Sequence, residues 1–143
     1  MGYTNHWKFR TRGENIVKLD KETFKKFSRT CEKAVKLLGI PLAGGDGTGE
    51  PEFTDEYIWF NGVGEKSCET MYMERVVKQQ EWRQGEEWTY DFCKTERYPY
   101  DAAVALCLLI AKHFFKDDFQ FYCESESDGM EEALEVFNRL NLK

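Results

Sequence analysis

Apolar and polar residues change their period several times along this chain, and each change marks an element. Around residues 6–12, Trp7 and Phe9 alternate with His6, Lys8 and Arg10, the two-residue period of a half-buried strand. From residue 20 the period lengthens. Phe24, Phe27, Cys31, Ala34, Val35 and Leu38 fall on one helical stripe, and Lys21, Lys25, Lys26, Arg29, Lys33 and Lys36 lie largely off it. Asp20 stands where an N-cap is wanted, with Leu19 and Phe24 at the two positions of a hydrophobic staple. Gly39 followed by Pro41 supplies the stop.

Residues 41–52 break every period, with four glycines and two prolines in PLAGGDGTGEPE. Such a stretch reads as a flexible connector or as a mobile binding loop. Three strand-like segments follow. Residues 57–60 are short and aromatic and end at Asn61-Gly62, a turn pair. Residues 68–75 place Met71 and Met73 on one face, and residues 88–94 place Trp88, Tyr90 and Phe92 on one face. Together they predict an antiparallel meander, with residues 81–87 as an exposed polar loop. Pro99 suits a helix start, and residues 102–111, AAVALCLLIA, are unbrokenly apolar. A helix apolar on all sides is buried on all sides, so this one is the expected centre of the core. Residues 119–123 alternate as a further strand. Asp128 then stands as cap of a last helix with Met130, Ala133, Leu134, Phe137 and Leu140 as its stripe.

The order is therefore β-α-β-β-β-α-β-α. It predicts an α+β fold, a single domain over residues 1–143, with an antiparallel sheet of about five strands packed by three helices. The length of 143 residues suits one core rather than two. Eleven Phe, seven Tyr and four Trp supply large side chains for it.

Charge adds a polarity to this picture. The net charge is −6, yet residues 1–40 carry ten basic and four acidic side chains, and residues 117–135 carry eight acids and no Lys or Arg. Such a split steers a partner of two-sided potential, or it reflects a solvated helix face at each end. The basic face of residues 21–36 has the cations that nucleic-acid backbones need, but no named nucleic-acid-binding motif accompanies it. No apolar run reaches ~18 residues and the first twenty lack an apolar core, so neither a membrane span nor a cleaved signal is expected. Cys31, Cys68, Cys93, Cys107 and Cys123 are an odd, widely spaced set, which predicts free thiols in a reducing cytoplasm rather than a disulfide framework or zinc site.

The catalytic inventory is thin. His6 and His113 have no partner at a nucleophile–base spacing; His113 reads as the cation at the end of the apolar helix. Glu124, Glu126 and Asp128 could gather a divalent cation, as a metal-dependent nuclease would, or form a solvated acidic edge. No metal and no cofactor are expected. The glycine loop lacks the terminal Gly-Lys-Ser/Thr of a phosphate cradle. The richest segment is residues 92–101, FCKTERYPYD, which leaves a strand and enters the apolar helix. There Lys94, Thr95 and Arg97 are placed to bind an anion at a helix N-terminus, and Tyr98 and Tyr100 to stack on a base or pack a partner. Asp101 opposes the anion, and the alternative reading is a structural strand-to-helix corner. Trp82 and Trp88, with charges beside them, are the expected hot-spot aromatics of a protein interface.

Four segments carry a resemblance: FNGVGEKSCETMYMER over residues 60–75, FCKTERYPYDAAV over 92–104, LLIAKHFFKDD over 108–118, and SDG over 127–129. About half of the chain thus resembles a family of short, largely uncharacterised proteins encoded by bacteriophages and prophages. Members more often have Gly where this chain has Lys116, and Phe where it has Met71. The resemblance implies a viral accessory protein at work in the host bacterial cytoplasm. With the thin catalytic inventory, it leads to the expectation of a non-enzymatic protein that binds a host bacterial protein, a defence factor such as a CRISPR effector, in an anti-defence or anti-CRISPR role. The alternative is a protein that binds or sequesters a nucleotide signal at residues 94–98.

Overall fold

The computed structural model describes residues 4–124 and 128–143. It is α+β, as the periodicities require, and its elements gather around one hydrophobic core. The centre is helix α2 (Asp101–Phe115), in which eleven of fifteen residues are buried. Helix α1 (Lys21–Leu38) and helix α3 (Asp128–Leu140) pack along it. Strand β1 (Thr4–Phe9) lies between β7 (Asp91–Lys94) and β8 (Phe119–Cys123), both antiparallel to it, and this sheet lays its inner face on α2.

Each helix end has a local cause. Asp20 Oδ2 accepts from the backbone N–H of Thr23 at 3.0 Å, and Gly39 adopts φ 75° at the α1 C-terminus while its N–H bonds back to Val35. Pro99 stands one residue ahead of the Tyr100 N-cap of α2. On α3 the expected Met130, Ala133, Phe137 and Leu140 pack against the core, while Leu134 is 40% exposed and Val136 is buried in its place. The side chain of Asp128, the expected cap there, lies outside the described residues.

The strands divide differently from the expected single sheet. They form three small antiparallel sheets: β7-β1-β8, a pair of β2 (Ile16–Lys18) with β6 (Val76–Lys78), and β3 (Glu52–Phe53), β4 (Tyr57–Phe60) and β5 (Met71–Glu74) in order. The meander therefore stops at β5, and the segment around residue 92 crosses to pair with β1. The reason is visible in burial. Phe92 is 57% exposed, whereas Cys93 is fully buried, so β7 turns Phe92 outward and Cys93 inward.

The glycine-rich stretch is latched down. Ala43 forms a β-bridge with Asn61, whose side-chain amide donates to the carbonyls of Gly45 and Cys68 at 3.0 and 2.9 Å. Asn61 Oδ1 accepts from the N–H groups of Gly62 and Cys68 at 2.7 and 3.1 Å. Gly45 lies so close to the Trp59 ring that a Cβ would stand 2.5 Å from Cζ2.

Candidate functional site

Two regions hold the residues singled out by sequence. The first is the strand-to-helix corner. β7 ends at Lys94, Tyr98 N–H closes a turn onto the Thr95 carbonyl at 3.1 Å, and α2 begins at Asp101. Glu96 and Arg97 both take positive φ, 54° and 66°, the backbone of a turn that normally selects Asn and Gly. Thr95 is fully buried and donates its hydroxyl to Asp101 Oδ1 at 2.6 Å. Asn5, also fully buried, donates to the same oxygen at 2.9 Å. Tyr100 is 1% exposed, with its hydroxyl 2.7 Å from the Glu69 carbonyl, and burial pushes its pKa far up. Asn5, Thr95, Tyr100 and Asp101 thus fasten β1, β7 and α2 together, and Asn5 was not legible because its partner lies 96 residues away.

Lys94 and Tyr98 reach the surface, and Lys94 is paired with Glu96 at 3.0 Å. That carboxylate raises the ammonium pKa. Arg97 and Tyr98 line a cavity of about 420 Å³ with Pro99, but Asp101 and Glu132 also line it. Two carboxylates at this helix N-terminus oppose an anion there. Of the acids considered for a cation, Glu124 is engaged by the Thr4 N–H at 3.1 Å and by His6 Nε2 at 3.4 Å. The side chains of Glu126 and Asp128 lie outside the described residues. Among the described residues no three His, Cys, Asp or Glu side chains gather as metal ligands.

Cys31, Cys93 and Cys123 are held protonated. Burial raises the pKa of Cys31, helped by Cys107, and raises those of Cys93 and Cys123, the last to about 12. Such thiols are poor nucleophiles at neutral pH.

The second region contains Trp82 and Trp88 and is larger than the sequence indicated. It is the outward face of the β7-β1-β8 sheet. Strand pairing aligns His6 with Phe92 on one side and Tyr122 on the other, and aligns Lys8 with Gln120. A further bridge sets Arg10 opposite Trp88. The outward positions of β1 and its extension are therefore His6, Lys8 and Arg10, a basic column. Beside it Trp88, Tyr90 and Phe92 form an aromatic column. Lys8 Nζ stands 4.4 Å from the Trp88 ring centre and 5.7 Å from that of Tyr90, and the Arg10 guanidinium stands 4.5 Å from Trp88. Arg83, from the turn Glu81–Arg83, stacks over Trp82 at 4.0 Å and Tyr90 at 4.6 Å. These are cation–π distances.

The rings are exposed for residues of their size: Trp82 73%, Tyr122 64%, Phe92 57% and Tyr90 46%. Tyr90, Phe92 and Tyr122 border a cavity of about 510 Å³ between β1, β7, β8 and Arg83. Sequence reasoning grouped Trp88, Tyr90 and Phe92 on one face and His6, Lys8 and Arg10 on another. The signal that would have joined them is the shared two-residue period, with tryptophan and phenylalanine also alternating on the inner side of β1.

No family model, no curated protein and no solved structure matches this chain.

Proposed function

We propose that this chain is a non-enzymatic binding protein that engages a host bacterial component through the aromatic and basic outer face of its β7-β1-β8 sheet. The resemblance to phage-encoded proteins makes the component a host defence factor, a CRISPR effector being one such target, met in the host cytoplasm. One observation carries the reading: a basic column and an aromatic column run in register across a solvent-facing sheet. A monomer gains nothing in stability from exposing Phe92, Tyr122 and Trp82, and exposed apolar clusters with polar borders mark binding surfaces. Trp, Tyr and Arg are also the residue types that dominate interface energetics.

The nucleotide-signal reading places a ligand at Lys94, Thr95, Arg97 and Tyr98. The cavity beside Arg97 and Tyr98 favours it by size, and Asp101 and Glu132 in its wall oppose a phosphate.

Affinity capture from host lysate tests the proposal. The tagged protein should retain a stoichiometric host component, and Phe92→Ser together with Trp82→Ser should release it while the melting temperature is unchanged. Turnover of a substrate that Lys94→Ala abolishes would overturn the reading. Retention of an ultraviolet-absorbing small molecule, lost in Arg97→Ala, would transfer the site to the corner.

A further inference from the structure

The geometry points to a more definite occupant for this face: a single-stranded nucleic acid, its bases stacked on Phe92 and Tyr122 and its backbone drawn along β1. The inference rests on the outer face being the binding surface and assigns the chemistry of what it holds.

The arrangement has three rows across the sheet. The first is Phe92–His6–Tyr122, with His6 at ring-centre distances of 6.4 Å from Phe92 and 6.3 Å from Tyr122. The second brings Tyr90, Lys8 and Gln120 together, and the third sets Trp88 beside Arg10. Successive outward residues on a strand stand about 6.5–7 Å apart. Lys8, Arg10 and Arg83 already lie over Trp88 and Tyr90, so the rings left open to bases are Phe92 and Tyr122, on either side of His6. Bases have π-faces and stack on such platforms without sequence preference, while neighbouring cations follow the phosphates.

The open rings, rather than the charge pattern, favour this occupant. Acids stand at the two ends of the basic column: Glu124 beside His6, and Glu87 and Asp118 beside Arg10 at 2.6 and 3.6 Å. Arg83 is paired with Glu86 at 3.1 Å. Lys8, at the middle, makes no ion pair among the described residues and lies against Trp88 and Tyr90. Gln120, exposed and opposite Lys8, carries both a donor and an acceptor for a base edge. The face thus offers one open positive charge surrounded by rings, a site for a few nucleotides. An excess of six acids over the whole chain weakens attraction to backbone charge alone. Affinity must then come from stacking, which a duplex with its bases paired inside does not offer.

The test is fluorescence anisotropy with labelled oligothymidylate and oligouridylate of about 12 nucleotides, against a duplex of the same length and against free mononucleotides. The full chain should bind the single strands and leave the duplex at least ~10-fold weaker. Phe92→Ala and Tyr122→Ala should each weaken single-strand binding roughly 10-fold. Lys8→Ala should lower it and reduce the slope of log affinity against log salt by about one unit. All three residues are at the surface, and unchanged melting temperatures certify the fold. Binding that is absent at about 100 μM protein in low salt, equal for duplex, indifferent to Phe92→Ala, or as tight for mononucleotides overturns the inference. A host protein captured through Phe92 after nuclease treatment of the lysate, with no oligonucleotide binding, would sink the nucleic-acid assignment and leave the binding function standing. Capture abolished by nuclease would support both.

Discussion

At the scale of single residues, the backbone explains choices that side-chain contacts do not. Lys116, at the C-terminus of α2, adopts φ 52° and ψ −125°, a conformation that L side chains rarely take. Glycine reaches it without a Cβ clash. The Lys116 carbonyl, which accepts from the Lys112 ammonium at 2.9 Å, is kept whatever the side chain. Lys116→Gly should therefore stabilise the fold by about 1 kcal/mol, the relief of strain exceeding the entropy that glycine adds to the unfolded chain. Urea denaturation of the two proteins measures it, and a loss of stability would show that the Lys116 side chain contributes more than its backbone costs. Glu96 and Arg97 present the same conflict twice in succession, at the corner between β7 and α2.

At the scale of elements, legibility follows the length over which a period is sustained. α1 was readable to its caps because eighteen residues repeat one stripe and Asp20 and Gly39 bracket it. α2 was readable because it is apolar on every side. β2, β3 and β6 have three residues or two, too few to display alternation, and they exist because long-range partners align them. The sheet face was half legible: both columns were seen, but a two-residue period says that residues share a side without saying which side is the core. Asn61-Gly62 was read as a turn pair, and the structure makes Asn61 the latch of the glycine-rich stretch. Its amide satisfies two carbonyls and two N–H groups at 1% exposure. Asn61→Ala leaves those groups without their partner, and should cost about 3 kcal/mol. Hydrogen exchange should rise at Ala43, Gly62 and Cys68 while α2 stays protected. Uniform acceleration across the chain would show instead that the latch and the helical core unfold together.

At the scale of the whole molecule, the three sheets and the helices are joined by few polar clamps, and one of them titrates. Arg75, between β5 and β6, donates to Glu56 through Nε and Nη2 at 2.9 and 3.0 Å, and its Nη1 reaches the Leu19 carbonyl ahead of α1 at 3.1 Å. A single guanidinium thus ties the β3–β4 turn, the β5–β6 junction and the entry to the first helix. The hydrogen bond from Arg75 holds the Glu56 carboxyl below its ordinary value of 4.5, and the N–H of Thr23 likewise lowers Asp20. A lowered folded-state pKa means that the unfolded chain binds protons first. The stabilisation is therefore complete above the ordinary carboxyl range and is lost as pH falls through the folded values. Asp91 has the opposite sign: burial, with Glu74 and Glu69 nearby, raises its pKa, so its contribution is lost as pH rises through the folded value. Asp91→Asn removes that penalty and should raise the melting temperature at pH 7, while leaving the outward ring of Phe92 in place. Glu56→Gln should lower the melting temperature at pH 7 and flatten its decline on acidification below about pH 4.5. Melting curves from pH 7 to pH 2 for these two variants separate the terms. If Glu56→Gln keeps the full acid decline, the clamp is not what acid breaks, and the N-cap carboxylate of Asp20 becomes the group whose protonation opens the molecule.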